Sequence, residues 1–564
     1  MKHHLPSTFL SQRQLWNAIV AIALTLGILF RIANLARPVY WVDEVATSIR
    51  VSGYTQAEVV EQVATGLPIS VAALQRFQKI RPAAEGTPVN RPFANLMRVL
   101  AQSPEHTPLY FVLARGWAQI FGASTAAMRS LPVLFSLLGL PAIYGLARAL
   151  FSSQFDREQS SHAQVAQTIA QMSVVLLSVS PFFVAYAQEA RPYSLWILLL
   201  LLTTQCLWRS LQAKLSLDQR QWWIAYGICL VLALYTSLLT VLVVVGQGLA
   251  VLLWHRHRAW AYGAVSAIAL SSLLPWVVIV FTQWQTLQSN THWMQTYTPV
   301  WATLGTWFYS LAVLFFDVPV SEQPLIFGLQ VAAAAATISL IVYASYVFLR
   351  QTNPQLWGFV LATAFSIPAV LLLIDVIRSG QAAATPRYLM PTHLGALIVL
   401  AYLLSERLFS RQYVSAKRYV SPKRWQLITA LLLSVSLMSC LIPQPSPYLK
   451  SRNLSNAALT KLLNEVRSPH LVTTPHYIQD LISLSYDLEP DIVFHVLPSE
   501  TTSPTMLLAD ILNGSNPAFL FAPSEAAQQT VRDSQLMNST QIYQPPPLTS
   551  GGFALTLWQI ERAK

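Results

Sequence analysis

Charge is what this 564-residue chain has least of. Charged residues make up 11% of it, and only 24 are acidic. A soluble domain is usually about a quarter charged. Cysteine is scarce too. Cys206, Cys229 and Cys440 all fall in apolar segments, which excludes a disulfide framework and zinc-ligand spacing. No Gly-rich phosphate loop and no Ser–His–Asp order stands out. No internal repeat is visible, so an inverted-repeat transporter gains no support.

Long apolar runs are abundant instead. Hydrophobic residues reach 54%, with a mean hydropathy of +0.45. Runs of about 20 residues imply a polytopic α-helical membrane protein with about 11–13 crossings. The first run, 15–35, is too long for a signal peptide and no small-residue cleavage site follows it, so it is expected to be retained. The net charge of +12 is poor grounds for nucleic-acid binding, because membrane proteins collect Lys and Arg in cytoplasmic loops. Here they gather in three loops: Arg209, Lys214 and Arg220; Arg256 and Arg258; and Arg407, Arg411, Lys417, Arg418, Lys423 and Arg424. All three are cytoplasmic if the short apolar stretches 107–121 and 304–316 do not span. The loop of Asp43, the turn of Glu189, the turn before Arg387 and the C-terminal tail then fall on the external side.

Two domains are expected. Residues 1–443 form the transmembrane domain, with a first external loop at about 36–126. In that loop Leu96, Val99 and Leu100 are spaced for one helical face and suggest juxtamembrane helices. From 444 to 564 the apolar runs shorten to four to seven residues (470–474, 491–496, 517–522 and 552–558). Helical patterns at 455–466 and 524–532 lie between them. This alternation predicts a small soluble external α/β domain. Sequons begin at Asn453, Asn513 and Asn538, at a frequency chance explains equally well.

Polar residues stand out against this background in four places. Asp43 and Glu44 follow the first run, where acids are often merely solvated. Glu105-His106-Thr107-Pro108-Leu109-Tyr110 opens a short apolar stretch. Gln188, Glu189 and Arg191 crowd one turn, and their plainest reading is an exposed ion pair of little worth. Thr385-Pro386-Arg387-Tyr388 precedes a late helix, where Arg387 suits either lipid phosphate or a substrate phosphate. Together, acids, a histidine and arginines on one face are what transfer from a lipid-linked phosphate donor requires.

Trp41-Val42-Asp43-Glu44, His106-Thr107-Pro108-Leu109-Tyr110, Phe121-Gly122 with Arg129, the Tyr186–Arg191 segment and Pro386-Arg387-Tyr388 resemble landmarks of the GT-C glycosyltransferases. The branch they resemble is family 39-like, related to protein O-mannosyltransferases and aminoarabinose–lipid A transferases. The likeness covers about residues 15–410. It implies a multi-helix membrane fold, a polyprenyl-phosphate sugar donor and an active site at the external face of a bacterial inner membrane.

By that resemblance Asp43 is the catalytic base, with Glu44 ranked below it and Glu189 as the second acidic site. Arg191 and Arg387 hold the donor phosphate, and His106, Tyr110, Gln188 and Tyr388 complete substrate binding. The acceptor is a lipid, a glycan or a protein. A divalent metal ion, Mg or Mn, shared by Asp43 and Glu189 is compatible with this set, though no His or Cys spacing requires one. The alternative is a polytopic transporter or lipid flippase without transferase activity. It predicts charges near helix centres, whereas most charges here sit at helix ends.

Overall fold

The computed structural model describes residues 12–80, 91–152, 160–213, 216–319, 321, 323–409, 422–442, 453–499, 503–514, 516–534, 536–545 and 555–563. Lys214, Arg411, Lys417, Arg418 and the 552–554 start of the last expected strand lie outside them. The chain divides into two compact units. One holds Met1–Ala33, Pro104–Leu109 and Pro132–Ile442; the other holds Asn34–Ser103, Tyr110–Leu131 and Pro443–Lys564. The sequence pattern puts the first loop with the transmembrane domain. The structure groups most of it with the C-terminal segment.

The first unit is helical. Among the described residues, seven helices are long and apolar enough to cross a membrane, and nine if each of two bent pairs is one span. The 11–13 crossings expected from the sequence include shorter apolar runs, such as the one that holds Thr240–Trp254. The short stretch 304–316, expected not to span, lies mostly in the 13-residue helix Val300–Ala312.

One bent pair sets up the turn of Glu189. The apolar run 165–184 reads as continuous, but the chain breaks at Ser180-Pro181, between Gln164–Val179 and Pro181–Ala187, with a bend of 63°. Proline cannot donate to the helix and pushes the residue before it toward extended backbone. Ser180 is extended accordingly, at φ −69° and ψ 116°.

The break strands carbonyls at the end of the first helix, and each finds a donor. Arg31 Nη2 donates to Leu177 O at 2.8 Å and Nη1 to Ser178 O at 2.7 Å. Ser436 Oγ donates to Val179 O at 2.6 Å. Close approach is possible here because position 27 is glycine: a Cβ there would lie 2.6 Å from Ser178 O.

Among the described residues, the second unit is built on a six-stranded sheet. Its strands are β1 (Ile69–Ser70), β2 (His470–Thr473), β3 (Val493–Val496), β4 (Ala518–Phe521), β5 (Met537–Tyr543) and β6 (Leu557–Arg562). The order is β1-β3-β2-β4-β6-β5. β2 is parallel to β3 and to β4, while β1, β5 and β6 are antiparallel additions. Every residue of β4 is buried, as expected of a strand covered on both faces. Val472, Leu508, Leu520, Val531 and Ile560 form the core around it.

The expected strands at 470–474, 491–496 and 517–522 and the expected helices at 455–466 and 524–532 all form. The last strand lies further along than expected, and β5 was not expected at all.

β1 comes from the first loop. Ile69 pairs with Phe494 and Ser70 with Val493. Gly66, at φ +77° where only glycine is unstrained, turns the chain into this pairing. Its N–H donates to Val496 O at 2.8 Å, and its carbonyl accepts from His495 Nδ1 at 3.0 Å. The loop helices pack in the same unit. In Phe93–Ala101 the buried residues are Leu96, Val99 and Leu100, the face their spacing predicted.

Candidate active site

In the second unit, Asp43 and Glu44 occupy the first turn of the helix Val42–Val51. Carboxylates are favoured there by the positive end of the helix dipole. The two acids have different surroundings. Glu44 is fully buried, as is Arg129. Arg129 donates through Nε to Glu44 Oε1 at 2.8 Å and through Nη2 to Oε2 at 2.7 Å. Its remaining N–H groups go to Leu35 O, Pro38 O and Val39 O, each at 2.8 Å. All five donors of the guanidinium are thereby used.

The Arg129 Cζ also lies 5.2 Å from the Tyr40 ring centroid. Burial, and then the Glu44 carboxylate, push the Tyr40 phenol above its ordinary pKa. Its Oη lies 2.5 Å from Ser48 Oγ. Through Arg129, Glu44 is tied to the loop that leads into this helix. Asp43 is only half-buried, and its carbonyl accepts from Thr47 Oγ1 at 2.9 Å. Tyr110, expected to bind substrate, is wholly buried with its ring edge-on to Phe111 at 5.8 Å.

In the first unit, Gln188 ends the helix Pro181–Ala187. Its Nε2 donates to Phe30 O at 2.7 Å, Ala33 O at 2.9 Å and Arg31 O at 3.3 Å. These carbonyls lie at and just past the end of the first helix, which the amide nitrogen caps. Glu189 and Arg191 follow, both buried, with the Arg191 N–H donating to Glu189 O at 2.6 Å. The Arg191 Cζ lies 5.8 Å from the Tyr193 ring centroid. The turn, expected to be exposed, is interior.

Arg387 and Tyr388 sit in a 3-10 turn, Pro386–Tyr388, and both are half-buried. Arg387 Cζ lies 5.6 Å from the Trp293 ring centroid and 5.8 Å from that of Tyr388. Two residues that the sequence reading did not single out hold this loop. Asp375 accepts from the N–H groups of Ala382 and Ala383 at 3.0 and 2.6 Å. Gln381 Nε2 donates to Trp293 O at 2.6 Å and its N–H to Met294 O at 2.8 Å. His106 Nε2 lies 3.7 Å from Glu105 Oε1, which also accepts from Asn290 Nδ2 at 3.0 Å.

Among the described residues no group of three or more His, Cys, Asp or Glu side chains is gathered to hold a metal ion. Asp43 and Glu189 belong to different units.

The chain is similar to several solved structures. ArnT from Cupriavidus metallidurans in the apo state matches at 13% identity and a TM-score of 0.46, over 98% of each chain. The Archaeoglobus fulgidus oligosaccharyltransferase tethered with an acceptor peptide matches at 10% identity and a TM-score of 0.47, over 95% of this chain and 73% of that one. The S. cerevisiae protein O-mannosyltransferase Pmt1–Pmt2 complex bound to the sugar donor matches at 14% identity and a TM-score of 0.29, over 50% of this chain and 35% of that one. No family model matches the sequence, and no curated protein does.

Proposed function

We propose that this chain is a polytopic membrane glycosyltransferase of the GT-C kind. It moves a sugar from a polyprenyl-phosphate donor to an acceptor hydroxyl at the extracytoplasmic face. One observation carries the reading. Of the two adjacent acids in the helix Val42–Val51, Glu44 is bound on both oxygens by Arg129, while Asp43, beside it, is half-buried. A motif in which one acid is structural and its neighbour borders solvent suits a fixed general base.

In this reading Asp43 takes the proton from the acceptor hydroxyl as the acceptor oxygen attacks the anomeric carbon. The bond from that carbon to the phosphate oxygen breaks, and the configuration inverts. Arg191 and Arg387 neutralise the polyprenyl phosphate as it leaves. Arginine's planar fork suits that task, because it can pair two phosphate oxygens at once. Glu189 orients the acceptor. The helices long and apolar enough to cross a membrane provide the surface on which the donor's lipid chain lies. The C-terminal segment is extracytoplasmic.

The test is an assay in sealed proteoliposomes with radiolabelled undecaprenyl-phosphate sugars. Transfer of label to an acceptor fraction supports the proposal. Movement of intact label across the bilayer without transfer contradicts it and indicates a flippase.

A further inference from the structure

The helix that carries Asp43 begins without a cap of its own. Trp41, at the N-cap position, makes no side-chain capping bond, although the first N–H groups of a helix need acceptors. The acceptor for Val42 comes from the far end of the chain. Val42 N–H donates to Asn453 Oδ1 at 3.0 Å, across 411 residues of sequence. A backbone N–H can only donate, so the amide oxygen of Asn453 must face it, and its Nδ2 faces the other way. That group donates to Asp480 Oδ1 at 3.3 Å and to Asn456 Oδ1 at 3.5 Å.

A second arm of the same network holds the residue two positions earlier. Ser483 Oγ donates to Tyr40 O at 2.7 Å and accepts from Asn456 Nδ2 at 3.0 Å. Asn453, Asp480 and Ser483 are wholly buried, and Asn456 is 1% exposed. The Tyr486 ring packs on Tyr40 with centroids 5.0 Å apart. Asn453 also opens a sequon, but its burial leaves the amide no access to a glycan. Asp43 thus lies between two clamps: the C-terminal network at Tyr40 and Val42, and Arg129 at Glu44. Buried polar networks whose members are mutually bonded make a backbone position unique rather than merely stable.

We propose that Asn453, Asp480 and Ser483 are positioning residues for Asp43, so that transfer depends on the C-terminal segment through the placement of one helical turn. The catalytic half of this inference rests on the reading of Asp43 as base. The placement half does not.

The experiment uses the full chain in nanodiscs and compares Asn453→Asp, Asp480→Asn, Ser483→Ala and the double variant Asn453→Asp/Asp480→Asn. Asn453→Asp sets a second carboxylate against Asp480. Exchange of the Val42–Val45 amides should quicken about tenfold, the size expected for a lost helix cap. With radiolabelled undecaprenyl-phosphate hexoses as probe, kcat should fall about tenfold or more with the donor KM unchanged, since a displacement of about 1 Å can cost roughly a hundredfold. The double variant restores the donor–acceptor pairing and should recover both readouts. Ser483→Ala removes one hydrogen bond from the same turn and should give a smaller change in the same direction, which keeps the test open if Asn453→Asp fails to fold.

Wild-type exchange of those amides in both Asn453→Asp and Ser483→Ala would overturn the proposal. So would a folded double variant no better than Asn453→Asp. If Asp43→Asn keeps full activity while Asn453→Asp loosens the turn, the assignment of the base fails and the clamp stands.

Discussion

Arg129 grips both carboxylate oxygens of Glu44 with both residues fully buried, across 85 residues of sequence. The same guanidinium holds the carbonyls of Leu35, Pro38 and Val39. It fixes the approach to the Val42–Val51 helix and the helix's first turn together. A buried pair of this kind is an uncertain gain over an apolar pair, but breaking it leaves an uncompensated charge in the interior.

Removal of either partner should therefore destabilise the unit by about 3–5 kcal/mol. Arg129→Met and Glu44→Ala should both lower the melting temperature in detergent strongly. Asp43→Asn should barely move it. Equal melting of Asp43→Asn and Glu44→Ala would remove the distinction between the two acids.

Glu58 sets an acid limb for the same unit. Burial raises its pKa, but the Thr55 N–H together with Arg98 and Arg91 outweighs that and brings it from 4.5 to about 2. A folded pKa below the unfolded one means that stability from this group is complete above about pH 4.5. It is lost as pH falls toward 2. Glu58→Gln should cost stability at pH 7, and the difference from wild type should shrink between pH 4.5 and pH 2. Denaturant melts across that range measure it. A difference independent of pH would contradict the assignment.

Arg387 tests the phosphate half of the mechanism. It is held against Trp293 by a loop pinned through Asp375 and Gln381. Losing a charge-assisted hydrogen bond is worth about 1.5–3 kcal/mol. Arg387→Gln should raise the donor KM roughly ten- to a hundredfold, with Arg387→Lys intermediate because lysine keeps the charge without the fork. Steady-state kinetics with varied donor concentration is the check.

Local patterns in the sequence carried much of this fold. The spacing of Leu96, Val99 and Leu100 foretold one buried helical face, and the short apolar runs after residue 444 foretold β2, β3 and β4. What stayed hidden depends on distant partners. β1 is two residues long and pairs with a strand more than 400 residues away, and nothing in Ile69-Ser70 signals that. Gln188 reads as a polar turn residue until the carbonyls of Phe30 and Ala33 are found beside it. Asp43 and Glu44 are indistinguishable by composition. Only Arg129, on another helix, separates them. The helix break at Ser180-Pro181 was legible in principle, because proline forbids the continuation, but its apolar neighbours masked it.

The central claim is that Asp43 removes the acceptor proton. The direct measurement is the rate of label transfer from a radiolabelled undecaprenyl-phosphate sugar by purified Asp43→Asn, beside wild type at matched folded protein. The prediction is a loss of about a hundredfold or more in kcat, the scale of a general base, with melting temperature and donor KM unchanged. Transfer by Asp43→Asn at the wild-type rate would contradict the account.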